Sequence, residues 1–470
     1  MLRAAARLAA VGAVAGLGLL ALAPGTIFGG GDRLAGDLRA ELQREGYTGR
    51  IEQTLTRRLG RPVDPKLANI GRLLWFDTVT ALNGDNACAG CHSPTNGFGD
   101  SQPIAIGIDN NGIVGPDRKG PRNMRRSPMV INTAFFPSLM WNGRFSSNSG
   151  DPFDNRLGFA FPAPEGASLS GHPHLLVAQA FIPPTERTEA AGFDFEGDND
   201  AIRAEVARRL NDVPSYRRLF ARIFPEVRVG GPIEFTMFAR AIAEFEFSLT
   251  FADAPLDRFA RGDTGALTGA EKRGALLFFG VAGCVDCHSV AGASNEMFTD
   301  FEPHAIAVPQ LVPAVTNNQF AGSGANEDRG REDVTGDSRD RYAFRTPSLR
   351  NLAVAPAYMH DGAFTSVRAA IEHHLDAVAS ARSYDPSSQR LPADLTGPLA
   401  PLEPLLDALD PKLRTPVVLT PREVDHLVAF VTWGLLDERA LPKRLEALVP
   451  RRLPSGRRPL EFQFDSPPAR

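Results

Sequence analysis

The sequence predicts an all-α fold class, mainly helix with long loops, organised as two domains. Three observations carry this. Apolar residues at helical spacing recur in two separate stretches, Pro65 to Phe76 and Glu271 to Phe279. Strand-like alternation is scarce. The connecting segments, such as Ile106 to Pro128 and Gly292 to Arg341, are long and rich in Gly, Pro and Asn. At 470 residues the chain exceeds one ordinary core, and about 100–200 residues per domain suggests two or three.

In chain order, Arg3 and Arg7 precede an apolar run from Leu8 to Ala23, the layout of an export signal. Residues 1–30 therefore read as an export signal or an N-terminal anchor. Ala21-Leu22-Ala23 offers small residues for cleavage, yet Pro24 would follow the cut, and a run continuing to Phe28 suits an uncleaved anchor. Either way the mature chain lies outside the cytoplasm. Ala201 to Phe224 and Ile233 to Phe251 read as amphipathic helices, and Ala252 to Asp257 as the crossover to a second domain. Thr268 with Glu271 forms a capping box for the second apolar stretch. Thr420-Pro421-Arg422-Glu423 opens a last helix running to about Leu436, with Pro in the favoured first turn. The expected domains are 31–252 and 253–445, followed by an Arg/Pro-rich tail, 446–470. That tail reads as a solvated end, with Arg451, Arg452, Arg457 and Arg458 its charged residues.

The net charge is -4 with both signs interspersed, so no nucleic-acid footprint exists. Exported chains usually spend cysteines on disulfides, but this one has four, as Cys88-Ala89-Gly90-Cys91-His92 and Cys284-Val285-Asp286-Cys287-His288. Both are C-x-x-C-H, the attachment signature of c-type haem. Each cysteine pair can form two thioethers to one porphyrin edge, and the adjacent histidine reaches the iron. A four-cysteine zinc site, a redox dithiol or structural disulfides would not require a histidine after both pairs. Two covalent haems are expected, one in each of two cytochrome-c-like domains.

Further motifs resemble the bacterial di-haem cytochrome c peroxidase family, including its MauG-like branch. They are Gly120-Pro121-Arg122-Asn123, Trp141-Asn142-Gly143-Arg144, Gln179 followed ten residues later by Glu189, and Thr346-Pro347-Ser348-Leu349-Arg350-Asn351 leading to Tyr358-Met359-His360-Asp361-Gly362. The resemblance spans roughly Leu67 to Leu436. It implies a periplasmic enzyme whose N-terminal haem, ligated by His92, meets hydrogen peroxide, while the C-terminal haem, ligated by His288, relays electrons from a small cytochrome c or cupredoxin.

Under that resemblance Glu189 is the distal acid-base residue that moves a proton between the peroxide oxygens, with Gln179 and Pro183 its neighbours. The plain alternative is a solvent-exposed loop carboxylate beside Glu186. Trp141 corresponds to the tryptophan between the haems, where it relays electrons, packs the interface, or both. Asn123 corresponds to the side-chain ligand of an inter-haem calcium ion, with the carbonyls of Ala355 and Ala357. The family is often dimeric, which implies a homodimer.

Two departures from the family pattern matter. Many members cap the first iron with a histidine from the loop after the first motif, but Ser93 to Met140 contains none. The first iron is then five-coordinate or water-ligated, as in the MauG-like branch. An insertion between Trp141 and Gln179 carries His172 and His174; Gly171-His172-Pro173-His174 reads as a surface turn, with iron capping the alternative. At the second haem, the position fourteen residues after His360, where the family has Met or Tyr, is His374, with His373 adjacent. This predicts a bis-histidine second haem; the alternative is a helix-surface His374 with His373, Met359 or water on the iron. The leading function is peroxide reduction; the alternatives are MauG-like oxidation of residues in a partner protein, and non-enzymatic electron transfer.

Overall fold

The computed structural model describes residues 30–464 except 164, 166–168, 170 and 317–326. The expected export signal or anchor, residues 1–30, lies almost wholly outside the described residues. Among those described, no helix is long and apolar enough to cross a membrane.

Eight helices position the sites: α1 (Gly30–Arg44), α2 (Pro65–Phe76), α3 (Leu175–Gln179), α4 (Phe235–Ser248), α5 (Pro255–Ala260), α6 (Gly269–Phe279), α7 (Val367–Leu375) and α8 (Pro421–Ala429). Strands are two or three residues long. The mainly α expectation holds. The predicted helix from Ala201 to Phe224 is interrupted, as Asn199–Asn211 and Pro214–Ala221, because Pro214 lacks the N–H that a continuous helix would need.

Helix starts follow their caps. Asp64 accepts from the N–H groups of Lys66 and Leu67 ahead of Pro65, opening α2. Thr268 and Glu271 form the expected reciprocal capping box on α6, and Thr420 and Glu423 form another on α8. Each such cap contributes about 1 kcal/mol.

The chain builds one helix crossing twice. In the first unit α2 crosses α4 so closely that a Cβ on Gly71 would lie 1.9 Å from the Ala241 carbonyl oxygen and 2.9 Å from Phe245 Cβ. In the second, a Cβ on Gly274 of α6 would lie 1.9 Å from the His426 carbonyl oxygen on α8 and 2.7 Å from Phe430 Cβ. One turn further on, the aromatic partners match too. Trp75 meets Phe245 edge-on at 5.5 Å, and Phe278 meets Phe430 edge-on at 5.4 Å. The two apolar stretches of the sequence are therefore equivalent halves of equivalent crossings.

The chain ends cross between the units. Helix α1 packs on α6, so Leu38 and Leu42 join the apolar cluster of the second unit. The tail, read from sequence as solvated, in part returns to the first unit. Glu461–Phe462 pairs in parallel with Ile113–Val114, Phe462 meets Phe76 edge-on, and Arg457 donates to the Thr78 carbonyl. Arg451, Arg452, Arg457 and Arg458 remain exposed, because only the apolar residues of the tail gain by docking. A buried Arg350–Asp257 pair, bidentate at 2.8 and 2.9 Å and sharing the Tyr47 hydroxyl, fixes the crossover segment to the second unit.

Candidate functional site

A cavity of about 450 Å³ opens in the first unit. Cys88, Cys91 and His92 line it, and so do Trp141, Gln179, Glu189 and Asn123, brought together from segments far apart in sequence. Its apolar wall includes Trp75, Met129, Phe136, Phe238 and Ile242. The His92 ring is oriented from behind, its Nδ1–H donating to the Pro128 carbonyl at 2.9 Å. That leaves Nε2 free, and burial pushes the imidazole down to about 4, keeping it neutral as a metal ligand must be. Burial pushes both thiols, Cys88 and Cys91, up to about 12, and the two are not joined as a disulfide. The volume, the apolar wall and this donor set fit a c-type haem.

Glu189 sits on a wide π-type turn, Arg187–Ala191, in which the Ala190 and Ala191 N–H groups both donate to the Glu186 carbonyl. The turn is pinned from two sides. Asn86 Nδ2 donates to the Glu189 carbonyl at 2.8 Å, and Gly107 approaches so closely that a Cβ there would lie 2.0 Å from the Thr188 oxygen. The carboxyl is raised to about 7, first by burial, then by the nearby charge of Glu186, against the lowering effect of Arg144. Arg144 itself pairs with Glu186 at 2.5 Å. Glu189 therefore faces the cavity and is not the exposed loop carboxylate of the plain alternative.

Trp141 is buried, and its Nε1–H donates to the Arg126 carbonyl at 2.9 Å. Its own carbonyl accepts from the Arg345 N–H at 2.6 Å, while the Arg126 N–H donates to the His360 carbonyl at 2.8 Å. The indole thus lies where the cavity wall meets segments of the second unit. Asn123 keeps a buried Oδ1 without a hydrogen-bond partner, the kind of oxygen a cation would use. Of the two carbonyls expected with it, that of Ala355 accepts from the Tyr358 hydroxyl at 3.2 Å.

His92 is the only histidine lining the cavity among the described residues. His174 is no surface residue, contrary to the sequence reading. It is 2% exposed, its Nδ1 caps α3 by accepting from the Leu176 N–H, and its Nε2–H donates to the Ala134 carbonyl at 3.1 Å. Both nitrogens being occupied, it is not available to an iron either. Its burial follows from packing between Phe153 and Phe247, at 4.6 and 4.8 Å. His172 stacks on Phe181 away from the cavity.

In the second unit His288 Nδ1–H donates to the Phe298 carbonyl at 2.9 Å, the same device as at His92. The His288 ring faces that of His374 on α7 with centroids 6.2 Å apart. Two metal–imidazole bonds of about 2 Å, with about 1 Å from each nitrogen to its ring centre, span about 6 Å. His374 Nδ1–H donates to the Ala370 carbonyl, leaving its Nε2 free. His373 differs: it is fully buried, with Nδ1 at Ser380 Oγ and Nε2 on the Ile306 carbonyl. The spacing and the free nitrogens fit a bis-imidazole haem. Cys287, Asp300 and His304 also converge within 4.8 Å, but a thioether at Cys287 would remove the sulfur from any metal site there.

Sequence reasoning missed Glu246, a carboxyl in the cavity wall of the first unit. A signal existed: it interrupts an apolar stripe as Phe245-Glu246-Phe247. It also missed Arg144 as the partner that sets Glu186 beside Glu189.

Two cysteine-histidine sites on a repeated helix crossing, one facing an open cavity and one facing a second imidazole, fit a di-haem c-type oxidoreductase. The comparisons agree. A family model described as di-haem cytochrome c peroxidase matches residues 65–265. The chain is 31% identical over 314 residues to the methylamine utilization protein MauG of Methylorubrum extorquens, covering 67% of this chain and 70% of that one. It is 26% identical over 372 residues to the cytochrome c551 peroxidase of Pseudomonas aeruginosa, covering 78% and 86%. Among solved structures, a MauG-like protein associated with microbial copper homeostasis shares the fold with TM-score 0.57 at 24% identity, over 81% of this chain and 91% of that one. The diheme peroxidase BthA from Burkholderia thailandensis does so with TM-score 0.53 at 21% identity, over 85% and 91%. This chain belongs to the di-haem cytochrome c peroxidase family and is an oxidoreductase of peroxidase type.

Proposed function

We propose that this chain is a periplasmic peroxidase that reduces hydrogen peroxide to water, with electrons taken singly from a small cytochrome c or cupredoxin. Two c-type haems, held by Cys88, Cys91 and His92 and by Cys284, Cys287, His288 and His374, would supply the iron at which peroxide reacts and the relay that feeds it. The observation that carries the reading is Glu189, a carboxyl raised to about 7, in the same cavity wall as His92. Near neutral pH such a group can both take and return a proton. Glu189 takes the proton from one peroxide oxygen and returns it to the other, so that the second oxygen leaves as water. Gln179 orients the peroxide by hydrogen bonding, and Trp141 carries the electron across the unit boundary. A calcium ion at Asn123 would satisfy its unpaired oxygen.

A second reading is favoured by one observation. Among the described residues no histidine other than His92 lines the cavity, which matches a first haem ready to react without prior reduction, as in the MauG-like branch. On that reading the oxidising equivalents pass through Trp141 to residues of a partner protein. Purified holoprotein should contain two covalent haems per chain and turn over hydrogen peroxide with a reduced cytochrome c. Two haems without such turnover would favour the protein-oxidising mode. Failure to react with peroxide at all would leave only electron transfer.

A further inference from the structure

Glu246 lies on α4 between Phe245 and Phe247, 3% exposed, and lines the same cavity as His92 and Glu189. Its Oε2 has no hydrogen-bond partner, and among the described residues no cation pairs with it. Glu244, two residues earlier and equally buried, shows what a structural carboxylate on this helix looks like. It takes a bidentate contact from Arg61 at 2.7 and 2.6 Å and a third hydrogen bond from the Asp64 N–H. A buried carboxylate without such partners is expensive to ionise. Burial accordingly pushes Glu246 up to about 8.

The surroundings leave it isolated. Helix α2 contributes the indole of Trp75 to the cavity wall and no charge; α3 contributes Gln179, and its cap His174 has both nitrogens bonded. The Asn199–Asn211 helix and the Thr133–Phe135 turn, which also pack on α4, bring no charged group to the wall. Cys88 shares this wall, and its thiol is raised by burial and then by the charge of Glu246. The remaining titratable and charged groups of the wall are Cys91, His92, Glu189, Asp333 and the arginines 125, 126, 144 and 345, none of them bonded to the Glu246 carboxyl. Glu246 thus shares a wall with the cysteine that would hold the porphyrin edge, and among the described residues no bonded partner sets its charge.

We propose that Glu246 is the redox-linked proton site of the first cavity, protonated when the haem held there is reduced by one electron and deprotonated when it is oxidised. The inference rests on the reading that Cys88, Cys91 and His92 hold a haem. A ferric haem carries one more positive charge than a ferrous one, and a nearby positive charge favours the carboxylate. On reduction one electron enters from the donor and one proton from water joins a Glu246 oxygen; on oxidation both leave. Peroxide reduction to water consumes electrons and protons in equal number, and this carboxyl would store one of those protons in the wall of the cavity that Cys88, Cys91 and His92 line.

Glu189 titrates in the same cavity, so the test is made in its absence. Full-length holoprotein carrying Glu189→Gln is titrated potentiometrically at the first haem from about pH 6 to 9, with and without Glu246→Gln. With Glu246 present, the reduction equilibrium constant should fall up to tenfold per pH unit, about 59 mV for one electron. Adding Glu246→Gln should flatten the line at the potential of the low-pH end. A flat line with Glu246 present, or an equal slope in both proteins, overturns the proposal. Should Glu246→Gln fold poorly, the redox-difference infrared spectrum of the Glu189→Gln protein still decides: reduction must add a protonated carboxyl band, and its absence refutes the assignment. Loss of covalent haem from the first motif in the parent protein would defeat the underlying reading instead.

Discussion

On the proposed reading His374 is a haem ligand and its neighbour His373 a structural histidine, one residue apart. His374 holds one hydrogen bond, to the Ala370 carbonyl, and is half-buried. Its removal in the free chain costs about 1 kcal/mol. His373 is fully buried, holds two partners at 3.0 and 2.7 Å, and packs on Phe364 at 4.9 Å. Its removal leaves the Ile306 carbonyl unpaired beside a new void, at about 2–5 kcal/mol. In a unit of this size that lowers Tm by roughly 5–15 °C. His373→Ala should therefore melt early and keep its spectrum. His374→Ala should convert one of the two haems from low-spin to high-spin in the paramagnetic resonance spectrum, and His374→Met should raise the midpoint potential of that haem, since methionine ligation raises potentials. If His373→Ala changes the spin state and His374→Ala does not, the 6.2 Å facing geometry has been misread.

Glu189→Gln should cut peroxide turnover by about 10²–10⁴-fold with both haem spectra intact, and a loss under about tenfold would assign the proton to another group. Glu186→Gln removes a charge that raises Glu189 and frees Arg144, which lowers it, so the acid limb of the kcat/KM profile should move to lower pH; a limb that stays near pH 7 refutes this coupling. Trp141→Phe keeps the packing but gives a ring much harder to oxidise, so stopped-flow transfer between the haems should slow while Tm holds; unchanged rates would reduce Trp141 to an interface residue. Gly274→Ala must part α6 from α8 at the 1.9 Å approach, costing about 1–3 kcal/mol, and Gly71→Ala should do the same between α2 and α4. Wild-type Tm in either variant would refute the crossing geometry.

What the sequence disclosed were features written in local pattern. The Thr268–Glu271 box, the Pro421 start and the two apolar stretches depend on residues within a turn or two of each other, and they stand as expected. Placement of Glu189 in the cavity was reachable only through its spacing from Gln179, because its environment is assembled from Asn86, Gly107 and Arg144. His174 shows the limit. A Gly-His-Pro-His string has the composition of a turn, and nothing local records that Phe153 and Phe247 will close over it. The return of the tail was hidden for the same reason, since Phe462 meets Phe76 across most of the chain length.

The repeated crossing explains how one scaffold can serve two chemistries. Gly71 with Phe245 and Gly274 with Phe430 fix the same helix geometry, and Pro128 and Phe298 orient His92 and His288 through the same Nδ1–H contact. The difference lies opposite those imidazoles. In the second unit α7 brings His374 to within 6.2 Å, leaving no room for a reactant between the rings. In the first unit no such helix intervenes among the described residues, and the space is walled instead by Gln179, Glu189 and Glu246. An iron held between two imidazoles would supply electron transfer, whereas one held in the first cavity would stand among carboxyls near neutrality that can take and return protons. On the proposed reading, peroxide chemistry falls to the first unit and electron relay to the second because of which helix the chain lays across each crossing; Gln179→His should abolish peroxide reactivity while electron uptake at the second unit persists, and retained peroxide reactivity would refute it.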